Sequence, residues 1–177
     1  MKLAMIGLGK MGANMVRRLH RDGHEIVVYD VSSEAVDALV EELSEAKGRI
    51  SAARQLTDIM QQLTDTRVIW LMVPHQFVDQ SLDDLIRTGL SAGDIVIDGG
   101  NSNYKLSQQR AERLQQHQAH FIDAGTSGGV WGLENGYSMM VGGSEDAVAY
   151  IEPILESLAP SQTTGWGHVG PAGAGHY

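Results

Sequence analysis

The sequence predicts an open, doubly wound α/β sheet that is mostly parallel. Three observations carry this. Apolar runs of strand length alternate with segments of helical periodicity along the whole chain. The strongest run, Val68-Ile69-Trp70-Leu71-Met72-Val73, is apolar without interruption, which suits a parallel strand buried on both faces. Glycines and turn residues gather after the carboxyl ends of the runs, where sheets of this kind bind their ligands.

The first run is Leu3-Ala4-Met5-Ile6. It passes through Gly7-Leu8-Gly9-Lys10-Met11-Gly12 into a helix whose Met11, Met15, Val16 and Leu19 recur at three- and four-residue steps. A G-x-G-x-x-G spacing between strand and helix suits a dinucleotide pyrophosphate. The first glycine allows the tight turn, the second lets the phosphates approach the backbone, and the third lets helix and strand pack closely. The free N–H groups and positive dipole end of the helix then face the phosphates. Gly23 stops the helix, and Glu25-Ile26-Val27-Val28-Tyr29 is a second strand. It ends in Asp30, eighteen residues past Gly12, where a carboxylate suits the ribose hydroxyls. The triplet alone is a weak signal in a chain with 21 glycines among 177 residues. Its context gives it weight against the competing reading, a glycine-rich turn that binds nothing.

Ser33 to Ala46 reads as a helix capped by Ser32 or Ser33, with Ala35, Val36, Leu39, Val40 and Leu43 as its apolar stripe. Arg49-Ile50-Ser51 is a short strand and Ala53 to Leu63 a modest helix. The central run from Val68 to Val73 is stopped by Pro74, and Phe77 to Leu90 is the next helix. Asp94-Ile95-Val96-Ile97-Asp98 is a strand that breaks at Gly99-Gly100-Asn101-Ser102. A polar helix follows from Tyr104 to His117. His120-Phe121-Ile122-Asp123 is a strand opening into the loop Gly125 to Gly132. Tyr137 to Val141 is a strand, Ser144-Glu145-Asp146 caps a last helix through Leu158, and Thr163 to Val169 is a final short strand. The arrangement is Rossmann-type, with an extra α-β unit at the C-terminal side of a single domain, residues 1–177.

Composition bounds the function. A chain of 177 residues with 42% apolar content builds a sizeable core, and folding at this size buries roughly 70% of the unfolded surface. The net charge of −9, with no basic run, argues against nucleic acid. The chain has no cysteine, hence no disulfide and no thiolate nucleophile. Met1-Lys2-Leu3 enters the first strand directly, and no apolar stretch reaches membrane-spanning length, so a soluble cytoplasmic protein is expected. His117 and His120 lie three apart without a third ligand at metal spacing, so no metal site is expected. Ser127 has no histidine base placed by a local motif, so it is no nucleophile candidate.

Three loops carry a family resemblance. Ile97-Asp98-Gly99-Gly100-Asn101-Ser102 with Tyr104 resembles the signature of 6-phosphogluconate dehydrogenases. So does Ser127-Gly128-Gly129 followed by Gly132, Gly136 and Ser138-Met139-Met140-Val141-Gly142-Gly143. So does Gly173-Ala174-Gly175-His176-Tyr177. The resemblance covers the whole chain. It implies an oxidoreductase that oxidises 6-phosphogluconate and decarboxylates it to ribulose 5-phosphate, a step of the pentose phosphate pathway. It implies that Gly7, Leu8, Gly9, Lys10, Met11 and Gly12 hold the pyrophosphate, with Asp30, Val31 and Ser32 at the ribose. Val73, Pro74 and His75 lie beside the cofactor, and Asn101 touches both nicotinamide and substrate. Ser127, Gly128 and Gly129 hold the carboxylate end of the sugar acid. A hydroxyl beside successive small-residue N–H groups is also, in its own right, an anion nest. The resemblance places the relay lysine and the acid beyond Tyr177, on a helix opening a helical domain that also builds a homo-oligomer. No catalytic residue is expected in this chain. Without that domain, apolar surface is expected around Trp131, Trp166 and the tail from Gly170 to Tyr177, and with it weak self-association or a disordered tail.

The commoner NADP-dependent members carry asparagine and arginine where this sequence has Asp30 and Val31. A carboxylate beside a 2′-phosphate is a like-charge contact worth on the order of several kcal/mol, so NAD is expected over NADP. The loop Val130 to Gly136 resembles the NAD-preferring bacterial branch. Leu106 departs from an acidic residue common in the family. The alternatives are a 3-hydroxyacid dehydrogenase of the same superfamily, disfavoured by Gly99-Gly100-Asn101, and a non-catalytic dinucleotide-binding module. Blander roles stay open for single residues: Asp30 as a helix cap, Asn101-Ser102 as a turn and cap, and Ser127-Gly128-Gly129 as a flexible loop.

Overall fold

The first strand, β1 (Lys2–Ile6), has neighbours on both sides, β2 (Glu25–Tyr29) and β4 (Val68–Leu71). Its side chains alternate between two cores. Leu3 and Met5 face one cluster with Met15, Val16 and Leu19, while Ala4 and Ile6 face the other with Ile59, Val78 and Leu82. Period-two alternation on a strand covered by helices on both faces is what makes a doubly wound sheet. The computed structural model describes residues 1–45, 49–64 and 66–177. The other strands are β3 (Ile50–Ala52), β5 (Ile95–Asp98), β6 (His120–Ser127), β7 (Ser138–Gly142) and β8 (Trp166–Gly170). Among the described residues the sheet order is β3-β2-β1-β4-β5-β6-β7-β8. Pairing is parallel except between β6 and β7. The fold is therefore the predicted doubly wound sheet with its added C-terminal unit.

The helices are α1 (Lys10–Arg21), α2 (Ser33–Leu43), α3 (Leu56–Gln62), α4 (Val78–Thr88), α5 (Tyr104–Gln115), α6 (Gly132–Asn135), α7 (Glu145–Tyr150) and α8 (Glu152–Leu158). α1 ends as the sequence suggests. Gly23 takes a positive φ of 90°, its N–H donates to the His20 carbonyl, and the His24 N–H donates to the Leu19 carbonyl. Arg18 and Arg21 in the last turn complement the helix dipole.

Several boundaries differ from the sequence reading. α2 ends at Leu43; the expected end at Ala46 falls outside the described residues. α3 begins at Leu56 rather than Ala53, because the Asp58 carboxylate takes the N–H groups of Arg54 and Gln55 and holds them outside the helix. β4 stops at Leu71, two residues early, and Pro74 has no N–H with which the ladder could resume. The single last helix is two, α7 and α8, broken at Ile151 beside Pro153, which has no N–H to give. β6 runs on to Ser127 because β7 pairs with it antiparallel, Ser127 opposite Ser138. The following loop is a 3-10 turn, Gly129–Trp131, leading into α6.

The tail is ordered, so of the two expected consequences disorder does not apply. The Asp123 carboxylate accepts the N–H of Gly173 at 2.7 Å and of His176 at 2.8 Å. His176 Nδ1 meets Ser107 Oγ at 2.9 Å, and the Tyr177 ring stands edge-on to Tyr104 at 5.0 Å between centroids. Gly175 lies so close to β6 and β7 that a side chain there would overlap the carbonyls of Asp123 and Met140. The apolar surface is as expected at Trp131, 70% exposed, and at Tyr177, while Trp166 is half-buried.

Arg18 locks α1 to the added unit. Its guanidinium donates to the carbonyls of Ser157, Leu133 and Ala159 at 2.8, 3.1 and 2.7 Å, at the ends of α8 and α6. Arg18→Ala leaves those acceptors open, and a hydrogen bond to a charged group is worth about 1.5–3 kcal/mol. We expect urea unfolding to report a loss of about 2–4 kcal/mol. Burial pushes the imidazoles of His20 and His24 below their usual range; Arg49 adds to the first and the Met1 amine to the second. Both hold a proton less readily in the fold than in the unfolded chain, whose imidazoles take up protons near pH ~6.5. Their stabilising contribution is complete above about pH 6.5 and is lost as the pH falls towards the folded values. Tm measured from about pH 7.5 down to about 5.5 should fall, and the double variant His20→Gln, His24→Gln should flatten that slope.

Candidate functional site

The three glycines of the first turn serve three separate purposes. Gly7 has φ of 98°, and a side chain on it would strike the Met72 carbonyl. A side chain on Gly12 would overlap the Gly7 carbonyl, so this glycine sets how closely α1 approaches β1. A Cβ on Gly9 would meet nothing within 4 Å. Gly9 is exposed and is the N-cap of α1, with no side chain capping the helix. The first-turn N–H groups of Lys10 and Met11 are therefore free to meet an anion.

Asp30 ties this turn to the end of β2. One carboxylate oxygen accepts the Leu8 N–H at 2.7 Å and the other the Ser32 N–H at 2.8 Å. The helix-cap role falls to Ser32, whose Oγ accepts the Ala35 N–H. A carboxylate offers about four lone-pair sites, so Asp30 keeps acceptor capacity for a ligand hydroxyl. Beside it opens a cleft of about 520 Å³ lined by Gly7, Gly9, Asp30, Val31, Val73 and Pro74 among others. Val31 is 96% exposed at its rim. An uncapped helix start, open space over Gly9 and a mostly apolar cleft with few polar groups fit a dinucleotide. His75 starts the exposed 3-10 turn His75–Phe77 just past this cleft.

Asn101 stands in the next loop along the same edge. It is exposed, and the capping of α5 belongs to Asn103, whose side chain accepts the Lys105 N–H at 2.9 Å. Asn101 is thereby not a cap. The loop is anchored by buried Asp98, which accepts the Gly100 N–H at 3.0 Å and the Ser102 hydroxyl at 2.5 Å. Gly100 packs beside the Val73 carbonyl, so the Asn101 loop borders the cleft. Ser127, Gly128 and Gly129 follow at the end of β6, one strand beyond β5. Ser127 and Gly129 are exposed, and Gly129 adopts φ of 50°. Gly132 seats against the buried Tyr137 ring, fixing where that loop turns back.

The structure thus lines one cleft with Gly7, Gly9, Asp30, Val31, Val73 and Pro74, keeps Leu8, Lys10, Met11, Gly12 and Ser32 in the chain beside it, sets Asn101 at its border and leaves Ser127 to Gly129 farther along. Sequence reasoning missed Asp98, Asp123 and Arg110. The signal for the two aspartates was present, since both close a predicted strand beside glycine-rich loops, as Asp30 does.

A doubly wound sheet with this glycine turn, carboxylate and cleft defines an NAD(P)-binding domain. The family described as the NAD binding domain of 6-phosphogluconate dehydrogenase matches residues 2–167. The NAD(+)-dependent, decarboxylating 6-phosphogluconate dehydrogenase of Haloferax volcanii is 42% identical over 178 residues, covering 100% of this chain and 56% of that protein. The decarboxylating enzyme of Aggregatibacter actinomycetemcomitans is 37% identical over 99% of this chain and 37% of its own length. The Plasmodium falciparum 6-phosphogluconate dehydrogenase, solved in apo form, with NADP+ and with 6-phosphogluconate, superposes with a TM-score of 0.89 at 26% identity, covering 100% of this chain and 38% of that one. Mycobacterium tuberculosis 3-hydroxyisobutyrate dehydrogenase superposes at 0.82 with 25% identity, over 99% of this chain and 56% of that one. The chain belongs to the 6-phosphogluconate dehydrogenase family and corresponds to its coenzyme-binding domain. It spans 56% or less of the length of these relatives. No helix among the described residues is long and apolar enough to cross a membrane.

The glycines separate binding from folding. Gly9→Ala adds a methyl group where the chain has open space, so Tm should fall by no more than a few degrees, the cost of alanine at an N-cap, while NAD affinity drops by about tenfold or more in calorimetric titration. Gly12→Ala should lower Tm clearly, because its methyl group must displace backbone.

Proposed function

We propose that this chain is the coenzyme domain of an NAD-preferring enzyme that oxidises and decarboxylates 6-phosphogluconate to ribulose 5-phosphate. The observation that carries the cofactor choice is Asp30. Its carboxylate is pinned by two backbone N–H groups and cannot swing away from a ribose 2′ position. Its remaining lone pairs accept the hydroxyls of NAD, whereas a 2′-phosphate meets a fixed like charge. The Haloferax volcanii relative, NAD(+)-dependent by name, supports the same reading.

The division of labour follows from the chemistry of each loop. Bound NAD supplies the hydride acceptor. The turn from Gly7 to Gly12, with Leu8, Lys10 and Met11, takes the pyrophosphate on backbone N–H groups. Val31 and Ser32 border the ribose, and Val73, Pro74 and His75 wall the cofactor. Asn101 offers both a donor and an acceptor, which suits a nicotinamide carboxamide together with a substrate hydroxyl. Ser127, Gly128 and Gly129 receive the sugar-acid carboxylate. The general acid and base come from a helical domain outside this sequence, which also joins subunits. The paired glycines before Asn101 favour this substrate over a 3-hydroxyacid.

Calorimetry on the chain should give NAD at least about tenfold tighter than NADP, equivalent to about 1.4 kcal/mol. Asp30→Ala should narrow that ratio; equal or tighter NADP binding by the unaltered chain would refute the preference. With 6-phosphogluconate and NAD, the 177-residue chain should form NADH only at a trace rate, since a positioned acid or base is worth about 10²- to 10⁴-fold.

A further inference from the structure

We propose that Asp98, Arg110 and Asp79 form a positioning unit for the second nucleoside of the dinucleotide, holding the loop of Asn101 against the start of α4. The inference rests on the cofactor reading above and adds residues that touch no ligand.

A dinucleotide bound to a doubly wound sheet crosses the point where strand order reverses, with one nucleoside over each half. Here the order reverses between β1 and β4. Asp30 and the glycine turn serve the half on β1 and β2. The second nucleoside must lie over β4 and β5, between the Val73-Pro74 segment and the loop from Gly99 to Ser102. Both walls of that half-site meet at one side chain. Arg110 on α5 is 2% exposed and donates from Nε and Nη2 to the two oxygens of Asp79, at 2.8 and 3.2 Å. Asp79 is in the first turn of α4, directly after the segment Val73 to Phe77. The remaining nitrogen, Nη1, has no hydrogen-bond partner among the described residues and lies 3.6 Å from Asp98 Oδ2.

Asp98 itself is fully buried, and it grips the residues on either side of Asn101, the Gly100 N–H and the Ser102 hydroxyl. Asn101 is thereby held at both neighbours while its own side chain is left exposed. A buried carboxylate needs a compensating charge, and Arg110 is the cation that supplies it. The guanidinium ties one wall to the other, so the gap between Pro74 and Asn101 is set by a bridge beneath the sheet edge rather than by the loops themselves.

The test compares two ligands on the same chain. ADP-ribose carries the adenosine, pyrophosphate and second ribose of NAD but no nicotinamide. Calorimetric titration of both is run on the unaltered chain, Asn101→Ala, Ser102→Ala and Arg110→Gln, with thermal melts on the same samples. We expect each variant to weaken NAD by about fivefold to tenfold and ADP-ribose by less than about twofold. A purely structural role lowers Tm and weakens both ligands alike, or neither, and either result overturns the inference. Should Arg110→Gln fail to fold, Ser102→Ala decides, because it removes only one hydroxyl. If the unaltered chain binds neither ligand, the cofactor reading falls and takes the inference with it. If it binds both and the variants do not separate them, the inference fails while the cofactor reading stands.

Discussion

The binding edge depends on one recurring interaction: a carboxylate where a parallel pairing ends that accepts loop N–H or hydroxyl groups. Loops at the edge of a parallel sheet leave backbone donors without ladder partners, and a buried donor left open is expensive. Asp30 follows β2 and takes Leu8 and Ser32. Asp98 closes β5 and takes Gly100 and Ser102. Asp123, within β6, takes Gly173 and His176. Each carboxylate joins two points of chain that the sheet itself does not hold. The glycines among them then allow backbone to run against backbone, as at Gly7 with Met72 and Gly175 with Met140.

This way of anchoring loops ties stability to function. Asp98 and Asp123 sit opposite each other in the register of β5 and β6, both fully buried. Two buried carboxylates in adjacent positions are tolerated because their surroundings differ. Asp98 lies beside the Arg110 guanidinium, while Asp123 accepts two backbone N–H groups of the tail. The ordering of the tail follows from those two bonds. The tail also lies closely against β6 and β7 at Asp123 and Met140.

The added C-terminal unit is joined to the cofactor helix by Arg18, whose three carbonyl acceptors lie on α6 and at the end of α8. The chain between Ser127 and Tyr137 is thus braced from α1 on one side and by the Gly132–Tyr137 contact on the other. The anion nest expected at Ser127 to Gly129 stands on a rigid support despite its glycine content. The exposed surface at Val130 and Trp131 lies on that same support.

What the sequence determined by itself was the order of elements, the doubly wound class, the glycine turn and the carboxylate after the second strand. These are local signals: apolar period, turn residues and a spacing of a few residues. It left Asp30 and Asn101 with two readings each, because a side chain that can cap a helix can also bind a ligand. The tertiary structure removed the cap reading of both by giving the caps to Ser32 and Asn103. It alone paired Asp123 with Gly173, Arg18 with Ala159 and Arg110 with Asp79, partners 50, 141 and 31 residues apart. Such pairs leave no periodic trace in the chain, since a charged residue on a helix reads as solvated until packing buries it and names its partner.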